Sequence, residues 1–310
     1  FDGLTYNKGG GVLSMFESYL GDDKFREGIR KHINRFAGSV ADVKDFMESL
    51  GEGSGRPEIV PAFESFLNQP GVPLVRLNAT CENKKTTLEL SQTPYGGSSS
   101  DDKRTWRIPV CMRDLAGKSQ MCVMLEQPST KLSLITRCST AWMPNARGAG
   151  YYRFALSGDG WKALLSRIDA LSPAEQISAM HSLRAGMRAG DVDGATYAST
   201  LEHLAAKGEW DVVQVAGIFL TEMRGVLLDE KATLAYRTKL RALLAPRMAR
   251  VGLGPKPHEP AGTTLLRAAL AELVVKEAQD PATVAALASK GMAYANAPAG
   301  KTDLPPELRP

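Results

Sequence analysis

The chain has 310 residues, 43% of them hydrophobic and 7% aromatic, which is enough for two or three domains that each bury a core. Its formal charge of +4 comes from 38 basic and 34 acidic residues scattered along the chain, with no basic run or interleaved aromatic residues, so no nucleic-acid partner is expected. The longest apolar stretch, VVQVAGIFL, is less than half of the roughly 20 residues that span a bilayer, and no membrane segment is predicted in this chain.

Residues 1–70 are predicted to be helices separated by turn residues. Apolar residues recur with helical spacing between Val12 and Leu20, and Gly21 is placed to end this first helix. A second helix is predicted to follow an Asp22 cap, and its apolar face consists of Phe25, Ile29, Ile33 and Phe36.

Two further helices are predicted before the pattern changes. Ser39 and Asp42 have the spacing of a capping box for a third helix, which is expected to bury Val43 and to end before Gly51. GEGSGRP is then expected to be a flexible connection, and PAFESFLNQ one more short helix that stops at Pro70.

From Val72 to Tyr152 the hydrophobic period changes to two, which predicts a small β-sandwich. Its clearest hairpin is WRIPVCMRDLAGKSQMCVMLEQ. A turn centred on Ala116 and Gly117 makes one face wholly apolar and sets up the cross-strand pairs Met112–Met121, Val110–Val123, Ile108–Leu125, Arg107–Glu126 and Cys111–Cys122.

All four cysteines lie in this predicted sandwich, and none belongs to a C-x-x-C motif that would indicate a zinc site. Thiols of Cys111 and Cys122 would be exposed on the polar face of the hairpin, so a disulfide is favoured over two free thiols. Cys81 and Cys138 would then form the second pair by elimination. Paired cysteines predict a periplasmic or secreted protein, and a cytoplasmic protein is the alternative.

From Trp161 to the end, about seven helices are predicted. LSPAEQ is a strong start signal because Ser172 can cap the helix, Pro173 suits its first position and Glu175 completes a capping box. Asp280 and Pro281 repeat this pattern. Helix pairs of this kind usually stack into a curved array.

Five segments together resemble the aminopeptidase N family of zinc metallopeptidases, the gluzincin aminopeptidases. They are FDGLTYNKGGGVLSM, LGDDKFREGIRKHINRFAG, FESFLNQPGVPLVRL, WRIPV and GAGYYRF, in the order and spacing of that family. LLAPRMARVGLGPKPHEP and TTLLRAALAEL are similar to the family's C-terminal domain. A chain that starts at Phe1 without methionine is expected to be a C-terminal fragment, incomplete at both ends.

The resemblance implies a multidomain fold of α and β parts. Residues 1–70 would be the C-terminal helical part of a thermolysin-like catalytic domain, and residues 71–155 a β-sandwich domain. Residues 156–310 would be the first part of an all-α, HEAT-like superhelical array.

The resemblance also assigns one catalytic residue, the tyrosine of the Y-x-K-G motif, which is Tyr6 in TYNKG. Its hydroxyl would donate a hydrogen bond to the peptide carbonyl oxygen as that oxygen becomes negative in the tetrahedral intermediate. Gly9, Gly10 and Gly11 are expected to permit close approach of another segment. Lys8 with these glycines does not have P-loop spacing, so a phosphate site is disfavoured.

In the family, two histidines of an H-E-x-x-H helix and a glutamate on the next helix hold zinc, and the motif glutamate activates the attacking water. H-E-x-x-H does not occur in this sequence, and HEPAG at residue 258 lacks the second histidine. We therefore expect zinc as the cofactor with its ligands upstream of the chain, no metal ligand and no other cofactor-binding residue in the chain itself, and no activity of the fragment alone.

The function implied is peptide catabolism by a zinc-dependent aminopeptidase that releases N-terminal residues from peptides. One alternative is a non-catalytic scaffold that uses the sandwich and the helical array for protein interaction, although a scaffold has no need for Tyr6. A second alternative is a related hydrolase that opens an epoxide. Tyr151 and Tyr152 are interpreted as core or interface aromatics rather than a stacking platform.

Overall fold

The computed structural model describes residues 4–96, 103–117, 120–135, 138–296 and 305–308. These residues form eleven α-helices and two small β-sheets, so the protein has mixed helical and β structure. The chain divides into two compact units, Phe1–Asp191 and Val192–Pro310.

The described part of the first unit begins with a π-helical turn, Leu4–Lys8, which continues directly into an α-helix. Four helices precede the first strand: α1 (Gly9–Leu20), α2 (Asp22–Phe36), α3 (Val43–Ser54) and α4 (Ile59–Leu67). Gly21 ends α1 with a φ of +83°, a conformation that glycine adopts without strain. The predicted first and fourth helices are therefore confirmed.

The predicted start of α2 is wrong, and one of the four residues of its predicted apolar face, Ile33, is exposed, whereas Phe25, Ile29 and Phe36 are half-buried. Asp22 is the first helical residue rather than the cap, and its carboxylate lies in the first turn beside the positive end of the helix dipole. The Ile33 side chain is 60% exposed. The reason is a close approach of two helices, because a Cβ on Gly53 of α3 would lie only 2.5 Å from the Cα of Gly28. This contact turns the Gly28 side of α2 towards α3 and leaves Ile33 on another side.

The capping box of α3 lies three residues later than predicted. Asp42, not Ser39, caps the helix: its Oδ1 accepts from the backbone N–H groups of Lys44 (2.8 Å) and Asp45 (2.9 Å). Asp45 returns the bond by accepting from the Asp42 N–H at 3.0 Å. The helix does not stop before Gly51 but runs to Ser54, and Val43 is exposed rather than buried. Residues 51–54 are thus helix and not a flexible connection.

Seven strands follow: β1 (Pro73–Glu82), β2 (Lys85–Pro94), β3 (Ile108–Asp114), β4 (Gln120–Leu125), β5 (Ser129–Ile135), β6 (Trp142–Met143) and β7 (Arg153–Leu156). One sheet has the order β5-β2-β1-β7, in which β7 runs parallel to β1, and the other has the order β4-β3-β6. Buried residues of both sheets join α1 in one hydrophobic cluster that includes Val12, Phe16, Val75, Leu88, Ile108 and Val110.

The predicted register of the β3–β4 hairpin is confirmed. Cys111 pairs with Cys122 and Val110 with Val123, and Arg107 lies 3.8 Å from Glu126. The expectation that the Cys111 sulfur would be exposed is wrong. Cys111 is 5% exposed because its face of the hairpin lies against α1, where the Cys111 sulfur is 4.0 Å from the Ser18 carbonyl oxygen.

Both expected disulfides are present. Cys111 and Cys122 join neighbouring strands with a Cα–Cα distance of 4.0 Å. Cys81 and Cys138, 57 residues apart in sequence, are joined with a Cα–Cα distance of 5.4 Å. No cysteine is left as a free thiol.

Two more helices complete the first unit, α5 (Gly158–Leu165) and α6 (Pro173–Ala189). The predicted box at the start of α6 is confirmed, with bonds in both directions between Ser172 and Glu175. Glu175 has a further partner, Arg113 of β3, whose Nε and Nη2 donate to the two carboxylate oxygens at 3.0 and 2.6 Å. Burial by itself would raise the pKa of Glu175, but the Arg113 bonds and backbone N–H groups outweigh burial and lower it.

The described residues of the second unit form the helices α7 (Gly194–Lys207), α8 (Trp210–Leu227), α9 (Glu230–Val251), α10 (Ala261–Leu273) and α11 (Pro281–Asn296). Asp280 caps α11 as predicted, since its Oδ2 accepts from the Thr283 backbone N–H at 2.9 Å. The buried Arg267 of α10 donates to both carboxylate oxygens of Glu259 and, at 3.1 Å, to the Gly252 carbonyl. Glu259, which is the glutamate of HEPAG, therefore has a structural role as the partner of Arg267.

Within the described part of the chain, no helix combines enough length with enough apolar character to cross a membrane.

Candidate functional site

Tyr6 lies in the middle of the π-helical turn that precedes α1. Its side chain is 66% exposed. Lys8, at the end of the turn, has helical backbone angles (φ −70°, ψ −50°), so the turn and α1 form one continuous helical segment. Short π-helical turns occur frequently at functional sites, where the extra residue changes the direction of a side chain. The phenol is thus carried on a helix and is accessible from solvent.

Lys8 connects this turn to the end of α4. The Lys8 Nζ donates to the Gln69 carbonyl oxygen at 3.4 Å. Gln69 is itself held, because its Nε2 donates to the carbonyl oxygens of Ser65 and Thr105, each at 3.0 Å. The turn that carries Tyr6 is therefore bonded to a fixed point beyond the C-terminus of α4.

Of the three glycines, only Gly11 permits a close approach. A Cβ on Gly11 would lie 2.8 Å from Cδ2 of the Tyr151 ring, whereas a Cβ on Gly9 or Gly10 would meet no heavy atom within 4 Å. Tyr151 is also held by its backbone N–H, which contacts the Met15 sulfur at 3.4 Å. Tyr151 is thus an interface aromatic that fixes α1.

Two aromatic residues beside Tyr151, namely Tyr152 and Phe66, are packing residues. The Tyr152 hydroxyl is buried and donates to the Pro144 carbonyl oxygen at 2.8 Å. Phe66 is fully buried, and its ring meets that of Tyr151 edge-on with centroids 6.3 Å apart. These contacts agree with the interpretation of Tyr151 and Tyr152 as core and interface residues.

Zinc, which the family resemblance implies, does not fit the residues described. No group of three His, Cys, Asp or Glu side chains that could hold a metal ion lies within the described ranges. The four histidines are in α2, α6, α7 and the segment before α10. His32 packs against the Phe36 and Phe46 rings, with centroids 5.0 and 5.1 Å away.

Three buried glutamates have basic partners. Glu175 is paired with Arg113, Glu202 lies 2.6 Å from the Lys239 Nζ, and Glu277 lies 2.7 Å from the Arg224 Nε. A carboxylate that is neutralised by a basic residue is poorly suited to act as a metal ligand or general base. These glutamates therefore hold helices and strands in place.

Comparison with known proteins places these features in a family. A family model described as "ERAP1-like C-terminal domain" matches residues 142–310, more than half of the chain. A second, described as "Peptidase family M1 domain", matches residues 1–68, which include Tyr6 and Lys8. The chain belongs to the M1 family of aminopeptidases. The resemblance to the aminopeptidase N family is confirmed.

Curated relatives of the chain are named as aminopeptidases, and two of the three described next have M1 in their names. The chain is 27% identical over 258 residues to "Probable M1 family aminopeptidase 1" of Encephalitozoon cuniculi, with 81% of this chain and 28% of that protein covered. It is 28% identical over 290 residues to "Aminopeptidase M1-A" of Oryza sativa subsp. japonica, with 88% and 32% covered. To "Glutamyl aminopeptidase" of Bitis rhinoceros it is 25% identical over 243 residues, with 75% and 25% covered. The chain spans about a third or less of the length of these three relatives.

The sequence singled out Tyr6 but not the contacts that hold its helix. For Lys8, in the same motif, the sequence suggests only a phosphate site, which its spacing disfavours. The signal for its inward contact is the spacing from Tyr6, because residues two apart on a helix face different sides and a solvent-facing Tyr6 places Lys8 towards the protein.

Proposed function

We propose that this chain is part of a zinc-dependent aminopeptidase that releases N-terminal residues from peptides, with Tyr6 as a catalytic residue. The observation that carries the proposal is an exposed phenol on a helical turn anchored by Lys8, inside a segment that matches the M1 peptidase domain. At pH 7 an ordinary phenol is a neutral donor, suited to an oxygen that gains negative charge during peptide-bond cleavage.

Tyr6 would donate its proton in a hydrogen bond to the carbonyl oxygen of the scissile peptide. The bond strengthens as that oxygen becomes negative, so it lowers the barrier more than it tightens substrate binding. Zinc would supply the activated water, and its ligands would come from a segment outside this chain. The 310-residue chain alone would then be inactive.

We infer the division into domains from the same resemblance. Residues 1–70 would be the C-terminal helical part of a thermolysin-like domain, residues 71–155 a β-sandwich domain and residues 156–310 the first part of a superhelical array. Helices α1–α4, the seven strands and the helices from α5 onwards support this division, as do the two family matches.

The experiment is Tyr6→Phe in the full-length protein, assayed with aminoacyl chromogenic substrates with and without a chelator. Loss of one donor to a developing oxyanion typically costs about 2.7 to 4 kcal/mol, which corresponds to a fall in kcat of roughly 100- to 1,000-fold. KM and the melting temperature should change little, because the phenol is exposed. Tyr95→Phe, which changes another exposed tyrosine of the first unit, is the matched control.

Full turnover by Tyr6→Phe would refute the role of Tyr6. A folded wild-type protein with no chelator-sensitive turnover would instead support the scaffold alternative.

We also propose that the protein works outside the reducing cytosol, in the periplasm or as a secreted protein. Two disulfides in the first unit support this compartment. Thiol titration of denatured protein isolated without reductant should find no free thiol. Four free thiols would favour the cytoplasm.

A further inference from the structure

Lys8 and Tyr6 lie on opposite sides of one helical turn. The Tyr6 ring is exposed, whereas the Lys8 side chain is half-buried and its ammonium group meets the Gln69 carbonyl oxygen at 3.4 Å. A change that releases Lys8 would therefore act on the turn from the side opposite the Tyr6 ring.

The acceptor of this bond is well placed for a cation. Gln69 follows α4, where the last carbonyl groups of the helix lack partners within the helix and the dipole is negative. The neighbouring Pro70 carbonyl is likewise bound by a cation, the Arg104 Nη1 at 2.7 Å. The Gln69 side chain donates to the carbonyl oxygens of Ser65 and Thr105. These bonds hold Gln69 in place, so its backbone carbonyl oxygen is a fixed acceptor for Lys8.

The body of α1 is held without Lys8. Val12, Met15 and Phe16 are buried in the core, and Gly11 lies against Tyr151. Loss of the Lys8 bond would leave this packing intact and would release only the π-helical turn Leu4–Lys8, which carries Tyr6.

We propose that Lys8 is a positioning residue, which fixes the turn Leu4–Lys8 on the Gln69 carbonyl and so holds the Tyr6 hydroxyl at the distance that oxyanion stabilisation requires. This inference rests on the proposed function of Tyr6. It explains the lysine of TYNKG by a bond within the protein, with no phosphate or substrate contact.

The test is a mutant cycle in the full-length protein with Lys8→Met, Tyr6→Phe and the double variant. Methionine keeps the length of the side chain and removes the donor. Lys8→Met should lower kcat by roughly 10- to 100-fold, because a displacement of about 1 Å of a catalytic group has effects of this size, while KM stays within about twofold. In the Tyr6→Phe background, Lys8→Met should have no further effect, since no donor remains to be positioned.

Two variants complete the experiment. Lys8→Arg keeps a cationic donor and should recover most of kcat, which also covers the case that Lys8→Met folds poorly. Lys24→Met removes an exposed lysine of α2 and should behave as wild type.

The outcomes separate the two proposals. If Tyr6→Phe lowers kcat but Lys8→Met does not, or if their effects multiply in the double variant, the positioning role is wrong and the function of Tyr6 stands. If Tyr6→Phe keeps full turnover, the proposed function fails and the positioning role fails with it.

Discussion

At the scale of single residues, His181 on α6 shows what partial burial does to a titratable side chain. Burial and, to a smaller extent, the positive charges of Arg153 and Arg184 together lower the pKa of His181 to about 4. The imidazole is therefore neutral at pH 7. Protonation of His181 beside the two arginines would therefore destabilise the folded state.

His181 makes the stability of the first unit depend on pH. The unfolded chain binds the proton with a pKa near 6.5 and the folded chain only near 4, so the unfolded state holds more protons between these values. The free energy of unfolding should accordingly fall as the pH is lowered from 6.5 to 4, by at most about 3 kcal/mol from this residue.

Urea unfolding of wild type and His181→Gln at several pH values in this window checks the prediction. Glutamine is neutral throughout, so the variant should lose less stability than wild type as the pH falls. An equal loss in both proteins would mean that His181 is not the titrating group.

At the scale of elements, local sequence signals were sufficient to predict a contact wherever the two partners lie close in sequence. The Ser172–Glu175 box, the Gly21 stop and the β3–β4 register all depend on residues within one turn or one hairpin. The prediction placed Ser39 as the cap of α3 because both Ser39 and Asp42 have cap chemistry, and only the observed backbone decides between them.

Contacts between distant segments could not be read from the sequence in the same way. The approach of Gly28 to Gly53 exposes Ile33, and the approach of α1 to β3 buries Cys111. In each case residue type was compatible with several partners, and tertiary packing selected one. The anchoring of the Tyr6 turn on Gln69, 61 residues from Lys8, belongs to this class.

The two disulfides should differ in what they contribute to stability. Closure of a loop lowers the entropy of the unfolded chain more when the loop is longer. With separations of 57 and 11 residues, the loss should be about 4 kcal/mol for Cys81→Ser/Cys138→Ser and about 3 kcal/mol for Cys111→Ser/Cys122→Ser.

Urea unfolding followed by tryptophan fluorescence compares the two double variants with wild type. Midpoints equal to that of wild type would show that the pairs are not formed in solution. A larger loss for the Cys111 and Cys122 variant would indicate that its packing against α1 outweighs loop length.

At the scale of the whole molecule, the two compact units differ in whether they contain the residues of the proposed catalysis. The first unit contains Tyr6, Lys8 and both disulfides, whereas the described residues of the second are helical and include the ion pair of the buried Arg267 with Glu259. The chain matches about a third or less of the length of the three relatives described above. The proposed catalysis therefore depends on Tyr6 meeting groups that another segment supplies.

The most direct measurement is a crystal structure of the full-length protein with a phosphinic peptide that mimics the tetrahedral intermediate. If Tyr6 stabilises the oxyanion, we expect a distance of about 2.5 to 3.0 Å between the Tyr6 hydroxyl oxygen and a phosphinyl oxygen, as in a charge-assisted hydrogen bond. A hydroxyl more than about 4 Å away, or a ring turned from the ligand, would contradict it.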